Sequence, residues 1–215
     1  MKFSKSVIVK FPDTLNKDIA YLFGLYVAEG CCAARSMRIT NTNIRLLEYS
    51  KNIIKENFDY DSQIIERGGV TGKYDLAIWS SGIIDFFEQL GIRQVKSGEK
   101  VIPWSILQSP KEVVSSFISG LFDGDGCVYW NGRSTRQLIY TSKSFDLINQ
   151  LAIVLLNYGI KGSYRVNKKE GYDDCYQLCI CNVKSIKIFQ KSFKLNDVSK
   201  QEKIVDCLDN SAWEL

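Results

Sequence analysis

Residues 116–126 read SFISGLFDGDG and residues 20–30 read AYLFGLYVAEG, and these two stretches decide the fold because they are copies of one pattern. Each stretch runs through apolar and small residues and ends in an acid followed by glycine. The two acids, Glu29 and Asp125, stand 96 residues apart. A repeat of this kind indicates that the chain is built from two equivalent units.

The repeat extends through the rest of each unit. Residues 39–41, ITN, recur as residues 140–142, YTS, and residues 74–78, YDLAI, recur as residues 176–180, YQLCI. Runs with helical spacing alternate with hairpin signals, which predicts the order α-β-β-α-β-β-α in each unit. The predicted fold class is α+β: two pseudo-symmetric repeats, motif helices packed at the centre, and helices on one face of each antiparallel sheet.

Three segments are expected along the chain. Residues 1–92 form the N-terminal repeat and residues 93–108 a linker. Residues 109–215 form the C-terminal repeat, which ends in a further short helix around residues 201–208. Ser109 and Glu112 predict a capping box at the start of the second motif helix.

The composition excludes several classes of protein. Hydrophobic residues make up 45% of the 215 residues and charged residues 24%, which is typical of a globular domain, and no apolar run reaches the ~20 residues of a membrane span. The chain has no histidine, so Ser-His-Asp and Cys-His catalysis are excluded, and its seven cysteines include no Cys-x-x-Cys motif that would favour zinc. The net charge of +4 permits nucleic acid as a partner. An enzyme here must use carboxylates, lysines, tyrosines, thiols without histidine, or a metal held by oxygen.

Small residues four apart mark one face of each motif helix: Gly24 with Ala28, and Gly120 with Gly124. Two such faces would let the helices approach closely. The acids that follow would then meet beside two helix C-termini, where the helix dipoles and their mutual repulsion are unfavourable. Divalent cations such as Mg²⁺ would remove that cost and could promote phosphodiester hydrolysis. Taken alone, residues 123–126, DGDG, are also typical of a turn, but the repeat favours a site.

Residues 118–126, ISGLFDGDG, closely resemble the nonapeptide LAGLIDADG, and residues 22–30, LFGLYVAEG, are a weaker copy. Two such motifs in one chain resemble the single-chain homing endonucleases. The resemblance implies a pseudo-twofold monomer whose two sheets form a saddle over the DNA major groove. It also implies a staggered double-strand break in a long, pseudo-palindromic target, in the service of intron homing, with about two or three Mg²⁺ sites.

The resemblance further implies which motif residues act. The eighth motif position is the metal-binding and catalytic acid, which is Glu29 or Asp125. The seventh position contributes its carbonyl oxygen to the metal, from Ala28 or Gly124. Asp123 has no acidic counterpart in the first motif, so a structural role at the helix end is expected for it.

Other catalytic residues are expected at two points near the cleavage site. At the end of the second strand the resemblance implies a basic or amide residue, matched by Asn41 in one half and by Ser142 or Lys143 in the other. At the end of the fourth strand it implies another, matched by Lys184, whose first-half counterpart Gly82 cannot serve. Lys184 is equally consistent with a solvated surface lysine, so both interpretations stay open.

The DNA is expected to lie along the hairpins, where alternate side chains face the groove. Side chains of the types that contact base edges and phosphates occur there. They are Arg35, Arg38, Gln63, Arg67, Lys73, Tyr129, Trp130, Arg133, Arg136, Gln137, Arg165, Asn167, Lys168 and Lys169.

Double-stranded DNA is thus the expected partner, with intron RNA as the alternative. The rival function is an RNA maturase or a non-cleaving DNA-binding regulator of the same fold, which the presence of both acids disfavours. The chain ends, at Met1 and Leu215, lack the Cys or Ser and Asn that intein splicing uses, so a free-standing intron-encoded protein is expected. We expect a monomer without membrane association, in the cytoplasm of a prokaryote or in a mitochondrion or chloroplast.

Overall fold

The computed structural model describes residues 9–33, 36–68, 71–132, 135–168, 171 and 173–209. Within these ranges the chain forms two halves with the same order of elements, as the repeat predicts. The first half comprises α1 (Lys17–Glu29), β1 (Gly30–Ala33), β2 (Ser36–Asn41), α2 (Ile44–Phe58), β3 (Gln63–Glu66), β4 (Tyr74–Ile78) and α3 (Ser81–Gln89).

The connection between the halves holds a 3-10 turn (Ser97–Glu99) and a short helix, α4 (Trp104–Leu107). The second half comprises α5 (Lys111–Asp125), β5 (Gly126–Trp130), β6 (Arg136–Ser142), α6 (Phe145–Leu156), β7 (Ser163–Asn167), β8 (Cys175–Ile180) and α7 (Val183–Ser192). The expected further helix follows as α8 (Val198–Asp209). None of the helices in the described ranges has the length and apolar character needed to cross a membrane.

Each half contains one four-stranded antiparallel sheet, in the order β1-β2-β4-β3 and β5-β6-β8-β7. Alternate residues of a strand point to opposite faces of a sheet. In the first sheet Met37, Ile39, Leu76 and Ile78 share the face that joins the hydrophobic core with the helices. The α+β class and the helices-on-one-face arrangement are therefore confirmed.

The two motif helices, α1 and α5, pack together at the centre through their glycines. A Cβ atom on Gly24 would overlap the carbonyl oxygen of Phe117, and one on Gly120 would overlap the carbonyl oxygen of Tyr21. The second small pair also meets, because a Cβ on Gly124 would overlap the Cβ of Ala28. The predicted close approach along this face is confirmed, and larger residues at these glycines would force the helices apart.

The start of α5 differs from the predicted capping box. The helix begins at Lys111, with Pro110 as the preceding cap residue, and no side chain accepts a hydrogen bond from its first turn. The Ser109 hydroxyl instead donates to the carbonyl oxygen of Ser105, 2.8 Å away. Ser109 therefore serves the end of α4, because that short helix lies immediately before it.

Asp123 ties α5 to the segment that leads into α8. Its side chain is 1% exposed and accepts hydrogen bonds from the Tyr21 hydroxyl at 2.8 Å and from the backbone N–H groups of Asn196 at 2.8 Å and Asp197 at 3.0 Å. Burial raises the pKa of the Asp123 carboxyl, and these three donors oppose the rise. These contacts give Asp123 the structural role expected from its motif position.

Candidate active site and nucleic-acid surface

Glu29 and Asp125 are the last residues of the two central helices, so the packing of α1 on α5 brings their side chains to one place. A Cβ on Gly124 would lie 3.2 Å from the Cγ of Glu29, which puts the Glu29 side chain against the backbone of the other motif. Each acid is followed by a glycine whose added Cβ would overlap the last helical turn, at the Tyr26 carbonyl oxygen or 2.5 Å from the Phe122 carbonyl oxygen. Close packing thus requires the glycine that follows each acid.

The same kinds of interaction shift the pKa values of the two carboxyl groups. Burial raises the pKa of Glu29, and the negative charge of Asp125 raises it further. The Asp125 carboxyl is open to solvent on one side, yet the protein around it desolvates it enough to raise its pKa. Lys100 and Lys200 oppose both rises, and Lys73 opposes that of Glu29. A carboxylate pair of this kind favours a bound cation.

Two lysines cap the helix ends beside the acids. The Lys100 ammonium donates to the carbonyl oxygen of Ala28 at 2.7 Å. The Lys200 ammonium donates to the carbonyl oxygens of Phe122, Asp123 and Gly124, at 2.9, 2.7 and 3.0 Å. A positive charge at a helix C-terminus compensates the negative end of the helix dipole. Burial lowers the pKa of both lysines, and the neighbouring carboxylates oppose that fall.

The sequence did not point to either lysine. Lys100 lies in the connection between the halves and Lys200 in α8, so both stand outside the repeated elements and reach the site by tertiary packing. Their shared signal is positional: each follows the closing helix of its own half. Other lysines, such as Lys96 and Lys194, share that position, so the signal alone does not single them out.

Asn41 lies beside Glu29, as expected for the end of the second strand. Its amide Nδ2 is 3.4 Å from Glu29 Oε1, and its Oδ1 accepts the backbone N–H of Asn43 at 2.8 Å. In the other half the Ser142 hydroxyl accepts the backbone N–H of Ser144 at 3.1 Å. The two positions share the turn geometry, but a contact to a motif acid is formed by Asn41.

Lys143 lines the same cleft as Asp125. Its ammonium group, however, is exposed and paired with Asp173 at 2.9 Å, and this pairing raises the pKa of Lys143. The geometry therefore does not direct the Lys143 charge to the carboxylates, although the residue stands at the edge of the cleft.

Lys184 is not brought to the carboxylates. It lies in α7, beyond the end of β8 where Ile180 pairs with Leu138. The acid site lies at the opposite end of that strand, near Cys175, which lines the cleft with Asp125. The prediction for Lys184 chose the wrong end of the fourth strand. In a sheet with this strand order, the start of that strand faces the acids. Lys73, which precedes β4, accordingly contributes to the field at Glu29.

Tyr140 is a further member of the site that the sequence did not indicate. Its side chain is 1% exposed, and its residue lines the cleft with Asp125 and Ala28. Burial raises its pKa well above the ordinary value, and the charges of Asp125 and Glu29 add to the rise. Its counterpart in the first half is Ile39, so the phenol stands on one side of the pseudo-twofold axis.

The donors at this site suit a hard divalent cation. They are the oxygens of two carboxylates, and the described residues contain no cluster of three or more His, Cys, Asp or Glu side chains that could hold a metal alone. Mg²⁺ is usually bound by one or two carboxylates together with water and substrate oxygens. The carbonyl oxygens of Ala28 and Gly124 already accept from Lys100 and Lys200, so the carboxylates are the better-placed ligands.

The face of the first sheet turned away from the helices carries several of the expected DNA-contacting residues. Arg38 pairs in register with Ala77, and Ala77 with Gln63, so these residues share that face with Arg67, which lines the same groove. Lys73 lies two residues before Asp75 on this face. The Arg38 guanidinium is 3.6 Å from the Asp75 carboxylate, which also accepts from the Thr40 hydroxyl at 2.7 Å.

The corresponding face of the second sheet carries Tyr129 opposite Gln137 and Arg165 opposite Gln177. Asn167 lies on this face opposite Cys175, and Lys168 follows it as an exposed residue. All residues of β7 are exposed. These side chains form an open polar surface, and its residue types are similar to those on the corresponding face of the first sheet.

Arg136 and Trp130 face the helices, which corrects their expected place on the DNA surface. They pair with each other in register, on the side of the core residue Leu138. Arg136 is 6% exposed and donates to the carbonyl oxygen of Cys207 in α8 at 2.8 Å, and Trp130 packs against the core. A parity error of one residue reverses the face of a strand position. Arg35, Arg133 and Lys169 lie outside the described residues.

A family model described as LAGLIDADG-like domain matches residues 16–91 and 112–194. The chain is 27% identical over 201 residues to glutamine–fructose-6-phosphate aminotransferase of Methanocaldococcus jannaschii, covering 91% of this chain and 18% of that protein. It is 31% identical over 218 residues to a probable translation initiation factor IF-2 of the same organism, covering 94% and 17%. The chain thus spans less than a fifth of these relatives.

Solved structures share the fold at low identity. I-DmoI in complex with DNA and Ca has a TM-score of 0.62 at 19% identity, covering 84% of this chain and 91% of that one. The homing endonuclease I-WcaI bound to its DNA recognition sequence has a TM-score of 0.63 at 14% identity, covering 90% and 88%. Full-length DUF199/WhiA from Thermatoga maritima has a TM-score of 0.59 at 14% identity, covering 90% and 61%.

Proposed function

The chain belongs to the LAGLIDADG-like domain family, and on that premise we propose that it is a site-specific, metal-dependent DNA endonuclease. The observation that carries the proposal is the junction of α1 and α5, where two carboxyl groups and two lysine ammonium groups converge. A phosphodiester is an anion whose hydrolysis builds up further negative charge. A site with paired acids to hold a cation and lysines to neutralise charge suits that reaction.

Among the fold relatives, the structures of I-DmoI with DNA and Ca and with DNA and Mn, and that of I-WcaI with its recognition sequence, support a DNA partner and a divalent cation. We extend both to this chain, with Mg²⁺ as the cation and about two or three ions at the site. The product we propose is a staggered double-strand break in a long, pseudo-palindromic target.

The residues of the chain divide the work. When bound, the cation would supply Lewis-acid stabilisation of the reacting phosphate. Glu29 and Asp125 would hold it, and Asn41 would orient the Glu29 carboxylate through its 3.4 Å contact. Lys100 and Lys200 would neutralise charge on a phosphate bound between the helix ends, because preorganised donors in a desolvated site are worth more than donors in water.

The open faces of the two sheets provide the proposed DNA surface. Strand-borne Arg, Gln, Asn and Tyr side chains are suited to base edges and phosphates in the major groove. We propose that residues 1–92 and 109–215 each read one half of the target and that residues 93–108 link them, in a monomer. We also propose an intracellular location, in a prokaryote or an organelle.

A mobile module is supported by the nature of the relatives. They have unrelated names and each matches this chain over less than a fifth of its own length. A segment shared by otherwise unrelated proteins is consistent with an element that spreads by cutting DNA at its insertion site. We therefore propose homing as the biological use of the cut, and we propose an intron as the carrier because the resemblance to homing endonucleases implies one.

The test is a plasmid library with a randomised insert, incubated with the protein and Mg²⁺ and sequenced at the new ends. We expect recurrent cuts at one long sequence with a fixed stagger, dependent on Mg²⁺, and no cuts from Asp125→Asn. A duplex containing that sequence, called the selected duplex below, should still bind the variant. No cutting combined with intact binding to DNA or to intron RNA would instead favour a regulator or a maturase and would overturn the endonuclease.

A further inference from the structure

A second cavity, of about 270 Å³, adjoins the acid site on the side of the first half. It lies between the end of α1, the start of β1 and the segment from Gly91 to Val101. Lys100 forms part of both sites, because its ammonium group holds the Ala28 carbonyl while its side chain lines the cavity. A ligand in this cavity would therefore lie next to the reacting phosphate.

The residues that line the cavity are of two chemical kinds. Arg93, Gln94, Lys96 and Lys100 are polar or cationic, and none of the described residues that line the cavity is acidic. Arg93 and Lys96 are exposed, and neither is paired with a carboxylate in the described part of the chain. The apolar lining residues are Tyr26, Val27, Ile92, Val95 and Val101. A lining of cationic and apolar groups without an acid suits an anion attached to a carbon ring.

The segments that follow α7 and α3 are packed differently. After α7, Phe193 and Leu195 are buried, and the backbone of Asn196 and Asp197 is bound to Asp123. After α3, the corresponding residues Arg93 to Lys96 remain exposed or half-buried. Within the described residues, the first half therefore leaves side chains accessible at a place where the second half packs its chain.

We propose that this cavity, the linker cavity, binds one backbone phosphate of the DNA together with its deoxyribose, on the half of the target held by residues 1–92. The inference rests on the proposed DNA-binding function. Arg93 and Lys96 contact the phosphate, and the apolar lining residues contact the sugar. The site favours a DNA phosphate over a free anion because Lys100 connects the cavity to the acid site, where the proposed function places the scissile phosphate.

Binding of the selected duplex is measured without divalent cations, so that the DNA stays intact, over a range of salt concentrations. Each phosphate neutralised by a protein contributes about 0.9 to the slope of log affinity against log salt. Arg93→Ala/Lys96→Ala should reduce the slope by about that amount. Lys184→Ala/Lys191→Ala removes the same charge from the exposed face of α7 and should leave the slope unchanged.

A duplex series with one uncharged methylphosphonate, moved along each strand, locates the contact. Wild type should lose affinity at one linkage in one half-site where the Arg93→Ala/Lys96→Ala variant loses none, because that variant has already lost the contact. Arg93→Gln/Lys96→Gln repeats the measurement with longer side chains should the alanine variant unfold. Thermal unfolding with inorganic phosphate tests the free-anion alternative.

The outcomes separate the two proposals. Failure of wild type to bind any selected duplex overturns the endonuclease itself. Normal binding with identical losses for wild type and variant at every linkage, or an equal slope change in the α7 control, overturns the linker cavity as a DNA-phosphate site. Suppose that inorganic phosphate raises the melting temperature of the protein, but that wild type and variant lose the same affinity at every methylphosphonate linkage. The cavity is then a site for a free anion, and the proposal is also overturned.

Discussion

The C-terminal end of α1 and that of α5 hold equivalent acids, but different amounts of chain secure them. At α5, Lys200 bonds three carbonyl oxygens and Asp123 bonds Tyr21 and two backbone N–H groups of the segment before α8. At α1, Lys100 bonds one carbonyl oxygen, and Val27 stands where the second half has Asp123. The better motif is also the better anchored one, so Asp125 sits on the stiffer support.

The side chains that surround the two acids also differ. Glu29 is touched by Asn41, while Asp125 lies in the cleft lined by Tyr140. On the open sheet faces, Asp75 in the first half holds Arg38 and Thr40, whereas its counterpart Gln177 donates to Thr141 at 3.2 Å. A shared scaffold thus carries two chemically distinct half-sites, and the two DNA strands should be cut at different rates.

The largest expected effect comes from removing the acids. Glu29→Gln with Asp125→Asn should reduce cutting by roughly 10³-fold or more, because both variants keep the shape of the side chain but lose the charge that holds the cation. Gel-shift affinity for the selected duplex should remain close to wild type. The single variants sharpen the comparison, since unequal loss on the two strands would assign each acid to a strand. Loss of DNA affinity in the double variant would show that the acids serve the fold.

The lysines should give the next largest effect. Lys100→Met and Lys200→Met keep the apolar stem and remove the ammonium, so each should slow cutting by about 10²-fold. The two variants should slow opposite strands, measured on a duplex labelled separately at each end. Lys200→Met should also lower the free energy of unfolding more, by about 2 kcal/mol against about 1 kcal/mol for Lys100→Met, because it removes three hydrogen bonds to helix-end carbonyls and Lys100→Met removes one. Equal slowing of both strands by each variant would contradict the pairing of one lysine with one half.

The sequence was sufficient to predict those features that depend on local pattern and on the repeat. The order of elements follows from hydrophobic periodicity, and the convergence of Glu29 and Asp125 follows from glycines that allow close helix packing. Lys100 and Lys200 could not be predicted, because no periodicity marks a residue that reaches its target from outside the repeat. Their role is visible once the connection and α8 are packed against the helix ends.

The errors on the DNA surface have a different cause. Arg136 and Trp130 belong to a predicted hairpin, but the face of each strand position depends on the register, and one residue reverses it. The predicted catalytic role of Lys184 was wrong for a related reason, since the end of β8 that faces the acids depends on the strand order of the sheet. Residue type indicates what a side chain can contact, while register decides whether it does.

The anchor on α5 gives a third, smaller prediction. Asp123→Asn replaces an acceptor of three hydrogen bonds with an amide that presents N–H groups to donors, so it should lower the free energy of unfolding by about 2 kcal/mol. Hydrogen exchange should accelerate in α8, which the Asp123 contacts secure. Val27→Ala, at the equivalent position of α1, should leave the exchange of α8 unchanged. Similar acceleration by both variants would mean that the two helix ends are held alike.

The smallest effect concerns pH, and its sign follows from the raised pKa of both acids. A carboxyl with a raised pKa binds more protons in the folded than in the unfolded state between its two pKa values, so stability falls as pH rises through that window. The fold therefore carries a cost at neutral pH that is absent below the unfolded pKa. Without divalent cations, Asp125→Asn should raise the melting temperature at pH 7 by no more than about 3 °C, since solvent screens this partly exposed group.

The two acids should differ in this measurement. Asp125 is one of the charges that raise the pKa of Glu29, so Asp125→Asn relieves both groups. Glu29→Gln also disturbs the contact with Asn41 and should stabilise less. Added Mg²⁺ should raise the melting temperature of wild type at pH 7, because a ligand that binds only the folded state stabilises it, and should do so less for either variant. A melting temperature that rises with pH in the wild type and falls on Asp125→Asn would mean that the lysines dominate the field, in which case the acids are stabilised by Lys100 and Lys200 and need no cation.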